Sequence, residues 1–370
     1  MIAHIRDSGG LHGAEQVILA LGRNIDMRFQ VLLICLRSAD GKSDRLMELA
    51  GEAGYQVVPV AVEGRLDFRA LSRIRKTFVD YGVRIVHSHD TKSNLYGLLA
   101  SLGLNIRKVT TAHGTTRDSF WKKSYLFLNE KVIYRYFDAI IAVSDEIRTQ
   151  LERKHSGKGT IRVIENGIDP LLVGLRSGGT EVVAPLPISE NRKVFAVVGR
   201  LFPDKGHRFF LQAISGIVRS YPDVLGLVIG DGPAREAIAL QVRELGLESH
   251  VFLCGERTDM KNVYENVDFL VIPSLTEGIP YVLLEAMIHR VPVLATNVGG
   301  IPGLIRHGVT GYLVPPGDSE SLEKGMGDLL KNPEKSRQLS ENGYHLVTEK
   351  YSAKEMARRM ENIYDALIEE

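Results

Sequence analysis

SLTEGIPYVLLEAMIHRVPVLATNVGG, residues Ser274 to Gly300, sets a helix and a strand between two glycine turns. Glu277 lies just before the expected helix and Glu285 lies inside it. Pro280 suits the first helical position, where its missing N–H costs nothing. Free backbone N–H groups at that end attract an anion, and Gly278 lets a ligand approach the backbone with no Cβ in the way. Val291-Pro292-Val293-Leu294-Ala295 reads as a buried strand, and Gly299-Gly300 as a second ligand-facing turn. A helix start, two carboxylates and a diglycine in one strand–helix–strand unit suggest a site for a sugar bearing a phosphate.

The same alternation runs through the chain. MIAHIRD, FQVLLIC, YQVVPV, VRIVHS, KVTTA, DAIIAVS and TIRVIE read as strands, with helical spacing at Ala14–Arg23, Ser43–Gly51, Phe68–Tyr81 and Ser93–Leu102. The pattern lapses after residue 170 into a stretch rich in Gly, Ser and Pro. It resumes with KVFAVVG, VLGLVIG, HVFLCG, DFLVIP, VPVLAT and TGYLVP. Apolar strands alternating with helices predict parallel sheets built from βαβ units. In such sheets ligands sit beyond the carboxyl ends of the strands.

At 370 residues the chain predicts two domains. Its 44% apolar and 25% charged residues are those of a soluble globular protein. No apolar run reaches the length of a bilayer span, and Met1 leads into a strand-like segment rather than a signal peptide. A cytoplasmic protein is therefore expected, at the inner face of the membrane in one version of the reading. Cys35 and Cys254 read as reduced core residues in different domains. Lys and Arg outnumber Asp and Glu by 25 to 19 through Asp169, and fall behind by 21 to 26 after it. That asymmetry is either ordinary surface variation or an attraction of the first half to an anionic membrane or acceptor.

The Glu277–Glu285 spacing resembles the E-x7-E signature of family 4 glycosyltransferases, retaining enzymes of the GT-B fold. Gly199-Arg200-Leu201 with Lys205-Gly206 resembles the family's G-R-L…K-G element. Gly230-Asp231-Gly232-Pro233 is similar to its G-D-G-P turn, and Val163 to Asp169 (VIENGID) to its V-I-x-N-G-x-D segment. Gly9-Gly10 with Gly13-Ala14-Glu15 looks like its first glycine loop. Two departures stand out: Gly303 where the family often has glutamate after Gly-Gly-x-Pro, and Glu165 in place of a common proline. The resemblance implies an α/β, GT-B architecture: two doubly wound Rossmann-like domains facing each other across a cleft. Residues 1–170 would be the acceptor-side domain, 171–192 a linker, and 193–350 the nucleotide-sugar donor domain. Residues 351–370 would form a helix crossing back to the first domain.

The resemblance also assigns roles. Arg200 and Lys205 would stabilise the departing diphosphate, Arg by a bidentate grip and Lys as a point charge. No D-x-D motif in a suitable setting offers a metal alternative, and neither metal nor cofactor is expected. Glu277 would accept hydrogen bonds from the transferred sugar, with Gly278, Ile279, Pro280 and Tyr281 at the donor. Glu285 would bind the ribose. Eight residues of a mostly helical segment place the two Cα atoms roughly 12 Å apart, whereas a retaining glycosidase holds its carboxyl groups ~5 Å apart, so the pair would span a donor. His113 would position the sugar. Gly9, Gly10 and Gly13 would contact phosphates, and Arg257 would lie near the nucleobase. His89 and Thr115 are acceptor-side candidates. His87-Ser88-His89-Asp90 admits a zinc reading, but no Cys/His partner of finger-like spacing accompanies it. Phe120 to Phe137 reads either as a core-packing helix or as an interfacial segment gathering a lipid-linked acceptor.

The expected activity is retaining transfer of a hexose-type sugar from a nucleoside diphosphate sugar to a hydroxyl acceptor, in cell-surface polysaccharide or glycolipid synthesis. The expected partners are the nucleotide sugar and that acceptor, lipid-linked in one version, with peripheral membrane contact through the N-terminal domain left open and no nucleic acid. A nucleotide-sugar epimerase, a phosphorylase and a catalytically idle binding subunit are the rivals. A nicotinamide dehydrogenase fails because Arg235 stands where the dinucleotide fingerprint needs a small residue.

Overall fold

The computed structural model describes residues 1–7, 13–37, 44–64, 66–113, 132–153, 159–175, 185–188 and 192–369. The chain forms two compact units, Met1–Gly167 with Ala353–Glu370, and Ile168–Ser352.

The first unit carries a seven-stranded parallel sheet of β1 (Ile2–Asp7), β2 (Val31–Arg37), β3 (Gln56–Ala61), β4 (Ile85–Ser88), β5 (Arg107–Ala112), β6 (Ala139–Ala142) and β7 (Thr160–Val163), in the order β3-β2-β1-β4-β5-β6-β7. The central strands β2, β4 and β6 are buried almost throughout, as strands covered on both faces must be. The edge strands β3 and β7 are largely open. From β1 the chain builds outward to β3, then returns to lay β4 on the other side of β1. That reversal is a topological switch point, where a crevice opens beyond the strand ends.

The second unit repeats the plan with β8 (Lys193–Val198), β9 (Val224–Ile229), β10 (Val251–Gly255), β11 (Phe269–Ile272), β12 (Val293–Thr296) and β13 (Tyr312–Val314), all parallel in the order β10-β9-β8-β11-β12-β13. Its switch point falls between β8 and β11. Phe195 on β8 and Phe269 on β11 stack at 4.6 Å between ring centroids, tying these two short strands together.

All thirteen strands coincide with the runs expected from sequence. Three local expectations differ. Pro280 is the residue before the helix Tyr281–Ile288, with an extended ψ of 127°, rather than its first helical residue. The fixed φ of proline suits either place, and here the turn leaving β11 uses it as the cap. The expected linker begins with a short helix, Pro170–Leu175, whose Leu172 and Val173 are buried in the second unit. Cys35 is buried as expected, whereas Cys254 is only half-buried, on the edge strand β10. The aromatic segment Phe120 to Phe137 lies outside the described residues up to residue 131. Beyond it, Ile133, Tyr134 and Phe137 are buried among Ile140 and Leu151.

The last helix, Ala353–Glu369, packs on the helix Gly13–Asn24 within the first unit. Tyr364 is fully buried there and its hydroxyl lies 2.6 Å from His87 Nδ1. Arg28–Asp365 (2.7 Å) and the Asp26 N–H to Glu361 carboxylate bond (2.8 Å) secure the rim of the same contact. Tyr364→Phe removes one buried hydrogen bond and is expected to cost about 1–3 kcal/mol. Tyr364→Ala opens a cavity and should cost about 3–5 kcal/mol. Urea melts of the two variants against the wild type check the ordering; a Tyr364→Phe variant as stable as the wild type would mean that the hydroxyl contributes nothing.

Candidate active site

The loops leaving β8 and β11 meet at the switch point of the second unit. After Gly199 and Arg200, a single turn at Pro203–Lys205 is closed by Gly206, whose φ of 71° is left-handed. A Cβ there would collide with the carbonyl of Pro273, so only glycine lets the two loops approach this closely. The Leu275 N–H donates to Asp204 O at 2.7 Å and locks them together. Lys205 Nζ therefore lies 2.6 Å from Glu277 Oε1, and the Ser274 hydroxyl donates to the same oxygen at 2.7 Å. The Lys205 and Glu277 side chains are 20% and 9% exposed, so the pair is shielded yet reachable.

Behind Glu277, the Gly300 N–H donates to Gly278 O at 2.9 Å. Gly299 has φ 59°, and a Cβ on it would strike the carbonyl of Glu277. The diglycine, expected to face ligand, thus seats the backbone that carries Glu277. Ile279 and Tyr281 are buried, and the helix Tyr281–Ile288 starts with no side-chain cap. Its first-turn N–H groups are of the kind that draw anions. The first four of the nine residues from Glu277 to Glu285 lie outside the helix, so the helical spacing assumed from sequence holds only from Tyr281 onward.

Glu285 is fully buried and accepts from the Tyr264 hydroxyl at 2.9 Å; Tyr264 in turn stacks on His289 at 5.3 Å. The Arg257 side chain is 4% exposed and grips Asp259 through two bonds of 2.8 and 2.6 Å. Partial burial opposes the Asp259 charge, but the bonds from Arg257 and Asn262 outweigh it and lower the pKa. Arg200 is exposed, with its guanidinium 5.0 Å from the centre of the Phe202 ring. The structure thus joins Lys205 to Glu277 directly and gives Glu285 and Arg257 separate partners.

The switch point of the first unit gathers a different chemistry. His4 on β1, His87 on β4, His89 just after it and His113 after β5 stack in series. His4 Nδ1 is 2.9 Å from His89 Nε2, and His89 Nδ1 is 3.3 Å from His113 Nε2. His87 is held by the Tyr364 and Thr111 hydroxyls at 2.6 and 2.7 Å. Burial pushes His4 and His113 down to about 3, and His87 and His89 well below the usual range. Ligand atoms of His4, His87 and His89 all lie within 4.8 Å of one another. Each of these rings, however, already spends a nitrogen on a neighbour. Arg6 bonds to Glu15 at 2.8 Å and to His89 O at 3.0 Å. Burial works against its charge, and the Glu15 and Asp90 carboxylates more than restore it, raising its pKa. Gly13 opens the helix Gly13–Asn24; Gly9, Gly10 and Thr115 lie outside the described residues.

Residues 11–171 match the model of Glycosyltransferase Family 4, and residues 180–346 that of glycosyl transferases group 1. The chain is 30% identical over 265 residues to the N-acetyl-alpha-D-glucosaminyl L-malate synthase of Bacillus anthracis, covering 71% of this chain and 68% of that one. It belongs to glycosyltransferase family 4. It is also 26% identical over 339 residues to the Escherichia coli UDP-Gal:alpha-D-GlcNAc-diphosphoundecaprenol alpha-1,3-galactosyltransferase, covering 87% and 85% of the two chains. Among solved structures, Anabaena HepE in complex with UDP and glucose superposes with a TM-score of 0.83 at 20% identity, over 99% of both chains. The fold is therefore GT-B, and the chain is a glycosyltransferase. No described helix is long and apolar enough to cross a membrane.

Sequence reading missed Ser274, Asp259, Tyr264, His4, Arg6, Glu15 and Tyr364. Period-2 spacing put His4 and Arg6 on one side of β1, a signal that was present. Tyr264 and Tyr364 reach their partners only through tertiary packing.

Two outcomes follow. Gly299→Ala forces a side chain into the left-handed region against the Glu277 carbonyl, and should cost on the order of 1–3 kcal/mol while weakening donor binding; a variant matching wild type in both melting and binding would contradict this seating. His4, His87 and His89, all buried, and the half-buried His113 have lowered pKa values and stabilise the fold fully above about pH 6.5, the unfolded value. That stability is lost as pH falls from there toward the folded values, because the unfolded chain binds more protons. Melting temperature should therefore drop between pH 7 and pH 4, with net proton uptake on unfolding; a flat profile would contradict it.

Proposed function

We propose that this glycosyltransferase moves a hexose-type sugar from a nucleoside diphosphate sugar to a hydroxyl acceptor with retention at the anomeric carbon. The product belongs to a cell-surface polysaccharide or glycolipid. The observation that carries the reading is the Lys205–Glu277 pair at the β8/β11 switch point, where an α/β sheet binds ligand. A cation for the leaving diphosphate and a carboxylate for sugar hydroxyls stand side by side there. We take uridine diphosphate as the donor nucleotide, because it is named for the Escherichia coli relative and bound in HepE. A lipid-linked diphosphate acceptor follows the same relative's name, and the excess of Lys and Arg before Asp169 suits such an acceptor or an anionic membrane surface.

In the reaction, the bond from the anomeric carbon to the diphosphate oxygen breaks and the acceptor oxygen bonds to that carbon on the same face. The acceptor proton passes to the departing phosphate. Lys205 and Arg200 stabilise the charge that grows on the diphosphate, and the first-turn N–H groups after Pro280 add to it. With two cations in that role, the reading assigns no metal and no prosthetic group. Glu277, fixed by Lys205 and Ser274, accepts hydrogen bonds from the sugar. Glu285, fixed by Tyr264, is assigned to the ribose. His113 positions the sugar, with His89 and Thr115 toward the acceptor, and Gly9, Gly10 and Gly13 toward the phosphates.

Thermal melts with UDP, GDP and ADP sugars test the donor site. A nucleotide sugar at about 100 times its Kd should add ~2.7 kcal/mol to stability. Glu285→Ala should lose that response, and Lys205→Ala should lose more affinity for UDP than for UMP. Stabilisation by no nucleotide, with or without magnesium, would sink the donor-site reading. Given a donor and acceptor, proton NMR of the product reads the anomer: an inverted linkage rejects retention, and an epimerised nucleotide sugar without acceptor favours the epimerase.

A further inference from the structure

The three imidazoles His4, His89 and His113 form a hydrogen-bonded series across the ends of β1, β4 and β5. His4 Nδ1 meets His89 Nε2 at 2.9 Å and His89 Nδ1 meets His113 Nε2 at 3.3 Å. A neutral imidazole has one N–H and one lone pair. His89 sits in the middle with both nitrogens engaged, so the two bonds must run in one sense. Either every ring carries its proton on Nδ1 and the series donates from His4 toward His113, or every ring carries it on Nε2 and the series donates back.

The two senses differ at the buried end. His4 is fully buried, and its Nε2 has no hydrogen-bond partner among the described residues. In the first sense that atom is an unused lone pair; in the second it is an N–H with no acceptor. Buried donors without acceptors are the rarer and costlier fault. His87 offers no relief, since the Tyr364 and Thr111 hydroxyls occupy its two nitrogens.

We propose that His4 and His89 are positioning residues that lock His113 in the neutral Nδ1–H tautomer, so that His113 presents a hydrogen-bond donor instead of a base. A neutral histidine side chain in water favours the opposite tautomer, Nε2–H, so the fold selects the minor form. Burial keeps all three rings neutral at pH 7. The tautomer stands on the geometry of the first unit alone. Its use rests on the proposed function: a donor on His113 grips a sugar or acceptor oxygen and takes no proton from the acceptor hydroxyl, which accords with the proton leaving on the phosphate.

The test is long-range proton–nitrogen correlation NMR of the full chain labelled with 15N-histidine at pH 7, without ligand, with each ring assigned by loss of its signal in a single His→Gln variant. The expected spectrum shows His4, His89 and His113 as Nδ1–H tautomers. His113 as Nε2–H, or as a rapidly exchanging mixture, overturns the proposal. His89→Asn keeps a donor near the Nδ1 position and should hold His113 as Nδ1–H, whereas His89→Leu should release it toward Nε2–H. An unchanged His113 in His89→Leu removes the positioning role. Circular dichroism verifies that the variants fold; where the His89→Asn and His89→Leu variants do not, the wild-type spectrum, assigned through the His→Gln variants, still decides the tautomer. A stoichiometric transition metal in the purified protein, with ring signals that change on chelation, would also overturn the proposal, because the cluster would then be a ligand set. If UDP sugars fail to stabilise the protein while the tautomers stand, the donor-site reading fails and this inference survives.

Discussion

The contact between Lys205 and Glu277 depends on two loops held closer than side chains would allow. Gly206 passes under the Pro273 carbonyl, Gly299 under that of Glu277, and Leu275 is bonded to Asp204. Remove any of these and the cation and carboxylate lose their common position. The charges therefore do not organise the site. Backbone packing at glycines does, and the side chains inherit its precision. A part-buried pair of this kind costs desolvation on both partners, and here the Ser274 hydroxyl adds a bond at Glu277.

The two units solve one topological problem with opposite chemistry. Each parallel sheet reverses its strand order beside its first strand, β1 in one and β8 in the other. At the β8/β11 reversal the loops carry charge and remain partly exposed, which suits a ligand that develops negative charge. At the β1/β4 reversal the strand ends and the turns after them carry imidazoles buried deeply enough to stay neutral. Neutral rings give directional hydrogen bonds at fixed distances without a net charge of their own. Arg6 is the exception beside them, and its charge is balanced by Glu15 and Asp90.

Much of the fold was legible because parallel strands advertise themselves. Most are buried on both faces and read as short apolar runs bounded by turn residues, and all thirteen runs proved to be strands. The pairing order was not legible run by run, since nothing in VRIVHS says that it lies beside β1 rather than β3. The Pro170–Leu175 helix escaped notice because six residues give too little periodicity to stand out from a glycine-rich flank. At the site, Glu277 and Lys205 were legible through their motif context. Their contact was not, because 72 residues separate them and only the packing of two loops closes that gap.

The sequence by itself determined the strand–helix alternation, the two-domain plan and the residues that carry charge and glycine at the turns. These are local properties: hydrophobic period, turn chemistry and motif spacing are written over a few residues. The tertiary structure alone decided that Glu285 is buried against Tyr264, that Arg257 is spent on Asp259, and that four histidines lose their affinity for protons. Burial and partner choice arise from segments far apart in the chain, as Tyr364 closing on His87 shows. A pKa or a tautomer is set by what surrounds a ring, and a linear sequence does not contain that information until the chain has folded.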